Sequence, residues 1–172
     1  MIKLVPFKDE EENYILMQRW CSQEFIYEWF EQRILSLDEI KHKYKTKLNL
    51  MEQDLFFIHY NGERIGYVQI YKYNNKLYGD LSKYNNIYEL DLFIGEESYL
   101  SKGIGTHILN YITDYIYDKY KPETIVLRPF KRNIRAIKCY LKCNYEIIDE
   151  YDGVDSLGRP ERYAVLSNVK GK

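Results

Sequence analysis

The sequence predicts a mixed α/β (α+β) fold, a mostly antiparallel twisted sheet of about six to seven strands flanked by helices. Three observations lead there. Asn61-Gly62 joins two strand-like runs and is a strong hairpin turn. Ile104, Ile108, Leu109, Ile112 and Ile116 recur at helical spacing and form one apolar stripe. Residues 88–144 alternate strand, helix, strand, helix.

In chain order, Ile2 to Phe7 reads as a first strand, and Asp9 is placed to cap a helix running to about Trp20. A second helix is expected over Glu24 to Ile34, and a third from Ser36 or Asp38 to about Leu48. Leu55 to Tyr60 and Arg64 to Tyr73 are the hairpin strands, after which Asn74-Asn75 turns the chain. Tyr88 to Ile94 is a strand that Gly95 ends, and Gly103 to about Tyr120 is a helix that Pro122 stops. Thr124 to Leu127 is a buried-type strand and Asn133 to about Asn144 a short helix. Tyr145 to Glu150 and Arg162 to Leu166 pair around a loop at Asp152–Gly158. No repeat or linker divides the chain, so one domain is expected over residues 1–172.

Composition excludes several classes of function. The net charge of −1 offers no basic surplus for nucleic acid. Three cysteines, Cys21, Cys139 and Cys143, are too few and odd in number for a disulfide framework, and they show no zinc-ligand spacing, so no metal is expected. Met1 to Phe7 followed by Asp9-Glu10-Glu11-Glu12 is no signal peptide, and no apolar run approaches the ~20 residues of a membrane span. A cytoplasmic protein without membrane partners, a monomer or homodimer, is the expectation. The 19 tyrosines suit a core with a wet rim and carry no functional reading alone.

Ser101-Lys102-Gly103-Ile104-Gly105-Thr106 stands between a strand and an amphipathic helix. A helix N-terminus presents unpaired N–H groups and partial positive charge, so it binds anions. Glycines at 103 and 105 clear the approach, and Lys102 adds a cation. The segment lacks both common nucleotide-binding signatures. One strand later comes Asn133-Ile134-Arg135-Ala136-Ile137-Lys138-Cys139-Tyr140-Leu141-Lys142-Cys143-Asn144-Tyr145.

Together the two segments resemble the GCN5-related N-acetyltransferase (GNAT) superfamily. Its cofactor loop reads roughly [RQ]-x-x-G-x-[GA], and its next helix N-x-x-A-x-x-x-Y-x-[KR]-x-G-[FY]. The loop matches at Gly103 and Gly105 but has Leu100 where Arg or Gln is usual. The helix matches at Asn133, Ala136, Tyr140, Lys142 and Tyr145, with Asn144 replacing Gly, a mild change in a left-handed cap. From about Leu16 to Val165 the chain is most similar, within that superfamily, to the aminoglycoside 6'-N-acetyltransferases. That likeness rests also on Gly66-Tyr67-Val68-Gln69-Ile70-Tyr71, Asp91-Leu92-Phe93-Ile94-Gly95 and Glu28-Trp29-Phe30.

The resemblance implies acetyl-CoA as cosubstrate. It would be held by the 101–106 loop, by Asn133, Ala136 and Tyr140, and by strand backbone at Phe93 and Ile94. It implies a small-molecule amine as acceptor, a polycationic aminoglycoside, among Glu28, Trp29, Tyr67, Tyr78, Asp80 and Asp91. A polyamine, an amino-acid-like metabolite or a protein N-terminus is the alternative acceptor, and a non-catalytic acyl-CoA-binding module is the alternative of another class. Asp91 resembles the aspartate that holds and deprotonates the amine, because an ammonium has no lone pair for attack. A free aspartate, with a pKa near ~3.9, is a weak base at neutral pH, so burial or a relay water has to assist. Tyr140 resembles the tyrosine beside the acetyl-CoA sulfur, placed to protonate the departing thiolate. Cys139 and Cys143 read as small buried residues rather than nucleophiles, since no histidine is near them in sequence. One departure concerns the acceptor. These enzymes often carry an acid before the proline that follows strand 124–127. Here Arg128 stands there, to repel a polycation or to pair with a nearby acid.

Overall fold

The computed structural model describes residues 1–170. The chain runs β1 (Ile2–Pro6), α1 (Glu11–Cys21), α2 (Glu24–Tyr27), α3 (Leu37–Leu48), β2 (Gln53–Tyr60), β3 (Glu63–Lys72), β4 (Ile87–Ile94), α4 (Ile104–Tyr120), β5 (Thr124–Leu127), α5 (Ile134–Lys142), β6 (Glu146–Val154) and β7 (Pro160–Val169). The seven strands form one sheet in the order β1-β2-β3-β4-β5-β7-β6. Every pair is antiparallel except β4 with β5.

The period of two along each strand sorts side chains to two faces. Phe56, Ile58, Val68, Ile70 and Leu90 meet Ile108, Ile112 and Ile116 of α4 on one face. Leu55, Phe57 and Tyr67 meet Met17 and Trp20 of α1 and Ile40 and Tyr44 of α3 on the other. The Asn61-Gly62 turn has both residues at positive φ, 49° and 88°, as a primed hairpin turn requires. Ser36 caps α3 in a reciprocal capping box with Glu39. Asn144, standing for the usual glycine, sits at φ 63°.

Three expectations change. Asp9 does not cap α1: Glu10 holds that position, and Asp9 Oδ1 accepts a hydrogen bond from the Tyr14 hydroxyl at 2.7 Å. The second helix is a single turn. After Tyr27 the chain folds back, with Gln32 N–H donating to Tyr27 O at 2.7 Å and Gln32 at φ 55°. Aromatic packing wins over helix propensity there, because Trp29 turns to Phe130 and Phe30 to Phe93. The last hairpin is longer than expected, reaching Val154 and Pro160, so its loop shrinks to residues 155–159. Asp155 holds that loop by accepting from the Leu157 and Arg159 backbones at 2.9 Å each.

Candidate active site

The site begins where the sheet opens. β4 pairs with β3 along its whole length, Lys72↔Tyr88 to Gly66↔Ile94. Its parallel ladder with β5 stops at Glu89↔Val126. From Leu90 onward β4 and β5 part, and a cleft of about 1050 Å³ fills the gap. Asp91 to Ile94 line one wall, and Arg128, Pro129 and Phe130 line the other. Gly66 makes this possible on the β3 side: a Cβ there would lie 2.4 Å from Phe93 O, so only glycine lets the strands close up.

The cofactor loop forms one end of the cleft. Gly103, at φ 74°, is the left-handed N-cap of α4, and Ser101 also has positive φ, 60°. Ser101, Gly103, Gly105 and Thr106 line the cleft, whereas Lys102 is exposed outside it and Ile104 turns to the core. α5 forms the floor beside the loop. Asn133 caps it, its Oδ1 accepting from Ala136 N–H at 3.3 Å. Asn133, Ala136, Cys139 and Tyr140 face the cleft. Burial, reinforced by the charge of Asp91, pushes the Tyr140 phenol well above its ordinary range, so it stays protonated at neutral pH.

Asp91 is held from β3. Gln69 lies directly opposite it in the ladder and donates Nε2–H to Asp91 Oδ2 at 2.7 Å. Tyr71 donates its hydroxyl to the same oxygen at 2.9 Å. Behind Gln69, Tyr67 donates to Gln69 Oε1 at 3.1 Å, which fixes the amide's orientation. Among the described residues no side chain bonds Oδ1 of Asp91. The same carboxylate borders a second, small chamber of about 40 Å³ beneath the sheet, lined also by Tyr44, Lys43 and Lys47. Burial and the neighbouring Lys43 push the Lys47 ammonium down, and Asp91 pulls it back up.

Arg128 pairs rather than repels. Its guanidinium binds the Glu89 carboxylate at both oxygens, 2.7 and 3.1 Å, and donates to the Tyr151 hydroxyl at 3.2 Å. Glu89 is 2% exposed. Desolvation raises its carboxyl to about 7, against the opposing pull of Arg128.

Of the acceptor-side residues expected from sequence, Asp91 and Trp29 line the cleft. Tyr67 is buried beneath it in the helical layer, bordering the small chamber. Glu28, the residue after α2, does not line the cleft. Tyr78 stacks on Tyr151, centroids 4.4 Å apart, in a separate cluster. Asp80 sits in an exposed 3₁₀ turn (Gly79–Lys83) and pairs with Lys83 at 2.6 Å, away from the cleft. Cys143 is buried as expected, but Cys139 is only half-buried and faces the cleft. Sequence reasoning missed Gln69 and Tyr71 as site residues. Period-two alternation through the hairpin puts both on the Asp91 face, and that signal was present.

Among the described residues no cluster of three His, Cys, Asp or Glu side chains could hold a metal, and no helix is long and apolar enough to cross a membrane.

Comparison with known proteins gives the family and the fold. The family model described as an acetyltransferase (GNAT) domain matches residues 9–153. The aminoglycoside N(6')-acetyltransferase type 1 of Klebsiella pneumoniae is 26% identical over 141 residues, covering 79% of this chain and 70% of that protein. The spermine/spermidine N(1)-acetyltransferase of Bacillus subtilis is 28% identical over 100 residues, covering 55% of this chain and 60% of that one. Among solved structures, aminoglycoside acetyltransferase AAC(6')-Ib with coenzyme A and kanamycin superposes with TM-score 0.76 at 22% identity, covering 99% of this chain and 95% of that one. Spermidine N-acetyltransferase from Vibrio cholerae, in complex with CoA and spermine, gives 0.77 at 17% identity, covering 99% and 96%. These structural likenesses carry the fold, and the family match over most of the chain carries the kinship: this protein belongs to the GNAT acetyltransferases.

Proposed function

We propose that the protein transfers an acetyl group from acetyl-CoA to a primary amine, the 6'-amine of an aminoglycoside, by direct attack within a ternary complex. The observation that carries this reading is Asp91. It lies on the wall of the opened sheet, anchored through Oδ2 by Gln69 and Tyr71, in the same cleft as a protonated Tyr140.

In this reading the backbone N–H groups of the 101–106 loop take the pyrophosphate, helped by the positive end of α4. The pantetheine arm lies along Phe93 and Ile94, where β4 has left β5. Asn133 and Ala136 shape the floor. Asp91 accepts the amine's proton on Oδ1 and orients the lone pair toward the thioester carbon. As the tetrahedral intermediate collapses, the C–S bond breaks and Tyr140 delivers a proton to the thiolate. Trp29 gives the substrate cation an aromatic face.

A second reading, acetylation of a polyamine, is favoured by the spermine/spermidine relative. The cleft itself does not separate the two polycations: of its acids, Asp91 and Asp155, the second is paired with Arg159 at 2.8 Å. Release of CoA thiol, with acetyl-CoA held saturating, tests both. Turnover of kanamycin-type substrates with little turnover of spermidine supports the first reading, and the reverse supports the second. Initial-rate lines should intersect. Parallel lines, the ping-pong pattern, would count against direct attack.

A further inference from the structure

α5 carries a cysteine pair for which acetyl transfer has no use. Cys139 and Cys143 are four residues apart, so they lie on one face of the helix in consecutive turns. Both sulfurs rest on one residue of the cofactor loop. Cys139 Sγ lies 3.7 Å from the Thr106 hydroxyl, and the Cys143 thiol donates to the Thr106 carbonyl at 3.5 Å. Cys139 Sγ also lies 3.7 Å from where a Cβ on Gly105 would sit. The Cys139 sulfur is therefore directly beneath the glycine-opened loop and faces the cleft, while Cys143 and Cys21 are buried.

We propose that Cys139 is a reactive thiol set in the floor of the cofactor cleft, and that low-molecular-weight disulfides modify it and reversibly close the cleft to acetyl-CoA.

Three features of the surroundings favour the thiolate. The Cys143 proton, which goes to the Thr106 carbonyl in the neutral pair, stabilises the negative sulfur most by turning to it on ionisation. The Thr106 hydroxyl adds to this, and the cationic Lys142 and Arg135 of α5 contribute further. Together they outweigh burial and hold the Cys139 thiol well below the ordinary range. Cys143 is pushed the other way, so it remains the proton donor of the pair. The chemistry is thiol–disulfide exchange. The Cys139 thiolate attacks one sulfur of R–S–S–R, a Cys139–S–S–R bond forms, the original S–S bond breaks and R–S⁻ leaves. No further oxidant is needed, and a free thiol reverses the step. The attached R group occupies the space that Gly105 leaves open, which is where the loop would receive phosphate.

The test uses the intact protein and 2-hydroxyethyl disulfide, read by intact mass and peptide mapping. At pH 7 a single adduct should form on Cys139, at least ~10-fold faster than on Cys21 or Cys143, because an ordinary thiol is only a few per cent thiolate there. The adduct should abolish calorimetric binding of desulfo-coenzyme A, and dithiothreitol should restore it. Desulfo-coenzyme A bound beforehand should slow labelling. The rate of labelling should rise with pH through a midpoint below the ordinary thiol value of ~8.5. Cys143→Ala should move that midpoint upward, and the wild-type profile decides the matter if that variant does not fold. Labelling that favours another cysteine, a midpoint at or above the ordinary value, or an adduct on Cys139 that leaves affinity intact would each overturn the proposal.

Discussion

The Arg128 guanidinium grips the Glu89 carboxylate at both ends, Nε to Oε1 at 2.7 Å and Nη2 to Oε2 at 3.1 Å, at the point where β4 and β5 cease to pair. The pair ties the two strands at the root of the cleft. Burial raises the Glu89 carboxyl to about 7, above the 4.5 of a free glutamate. A carboxyl raised on folding favours the native state while protonated. That contribution is complete below about pH 4.5 and is lost as pH rises through 7. Glutamine at this position does not titrate. The stability of Glu89→Gln relative to wild type should therefore rise between pH 5 and pH 8, on top of a pH-independent cost of leaving Arg128 without its charged partner. Urea unfolding at the two pH values measures this. A difference that does not change with pH would show that Glu89 keeps an ordinary pKa.

Gly66 sets how closely β3 and β4 approach beside the cleft. A methyl group there would meet Phe93 O at 2.4 Å and Ile94 Cα at 3.2 Å, both backbone atoms that cannot swing aside. Gly66→Ala should displace the Phe93–Ile94 segment. It should lower stability by about 1–3 kcal/mol and weaken CoA binding as well. Thermal unfolding and calorimetry check the two effects. Unchanged CoA affinity would mean that Phe93 and Ile94 do not frame the cofactor.

Gly103 separates shape from charge at the cofactor loop. It has φ 74°, and nothing lies within 4 Å of where a Cβ would sit, so alanine meets only the left-handed backbone cost, about 1–2 kcal/mol. Aspartate adds a negative charge facing the phosphates. Losing charge-assisted bonds worth about 2 kcal/mol corresponds to roughly 30-fold weaker CoA binding. Gly103→Asp should thus bind CoA far more weakly than Gly103→Ala. Equal affinities for the two would remove the loop from the pyrophosphate site.

Tyr71 positions Asp91 without lining the cleft. Tyr71→Phe removes one hydrogen bond to Oδ2 and leaves that of Gln69. kcat should fall by about tenfold, with CoA affinity unchanged. Steady-state kinetics with calorimetry separate the two. A change in KM for the amine alone, with kcat intact, would mean Tyr71 shapes binding rather than the aspartate.

The parts of this molecule that were legible in sequence are those that local rules control. The Asn61-Gly62 turn, the start of α3 near Ser36 and the stripe on α4 are set by backbone geometry and period, and all appear where expected. The loop glycines and the start of α5 at Asn133 were legible for the same reason. What sequence did not disclose depends on contacts between distant segments. The helix expected after Glu24 is broken because Trp29 and Phe30 pack on Phe130 and Phe93, some 60 to 100 residues away. Asp80 looked like an acid for a cationic substrate, yet its 3₁₀ turn packs beside β6, where Gly79 N–H donates to Asp149. Arg128 was read as either repelling or pairing, and only the fold brings Glu89 to it.

The central claim is that acetyl-CoA delivers its acetyl group to an amine activated by Asp91. Thiol release with acetyl-CoA and a 6'-amino aminoglycoside, in wild type and Asp91→Asn, tests it most directly. The account predicts clear turnover in the wild type and kcat/KM for the amine lowered ~10²–10⁴-fold in the variant, with CoA affinity retained. Less than a threefold loss in Asp91→Asn, or no thiol release from the wild type with any amine, would contradict it.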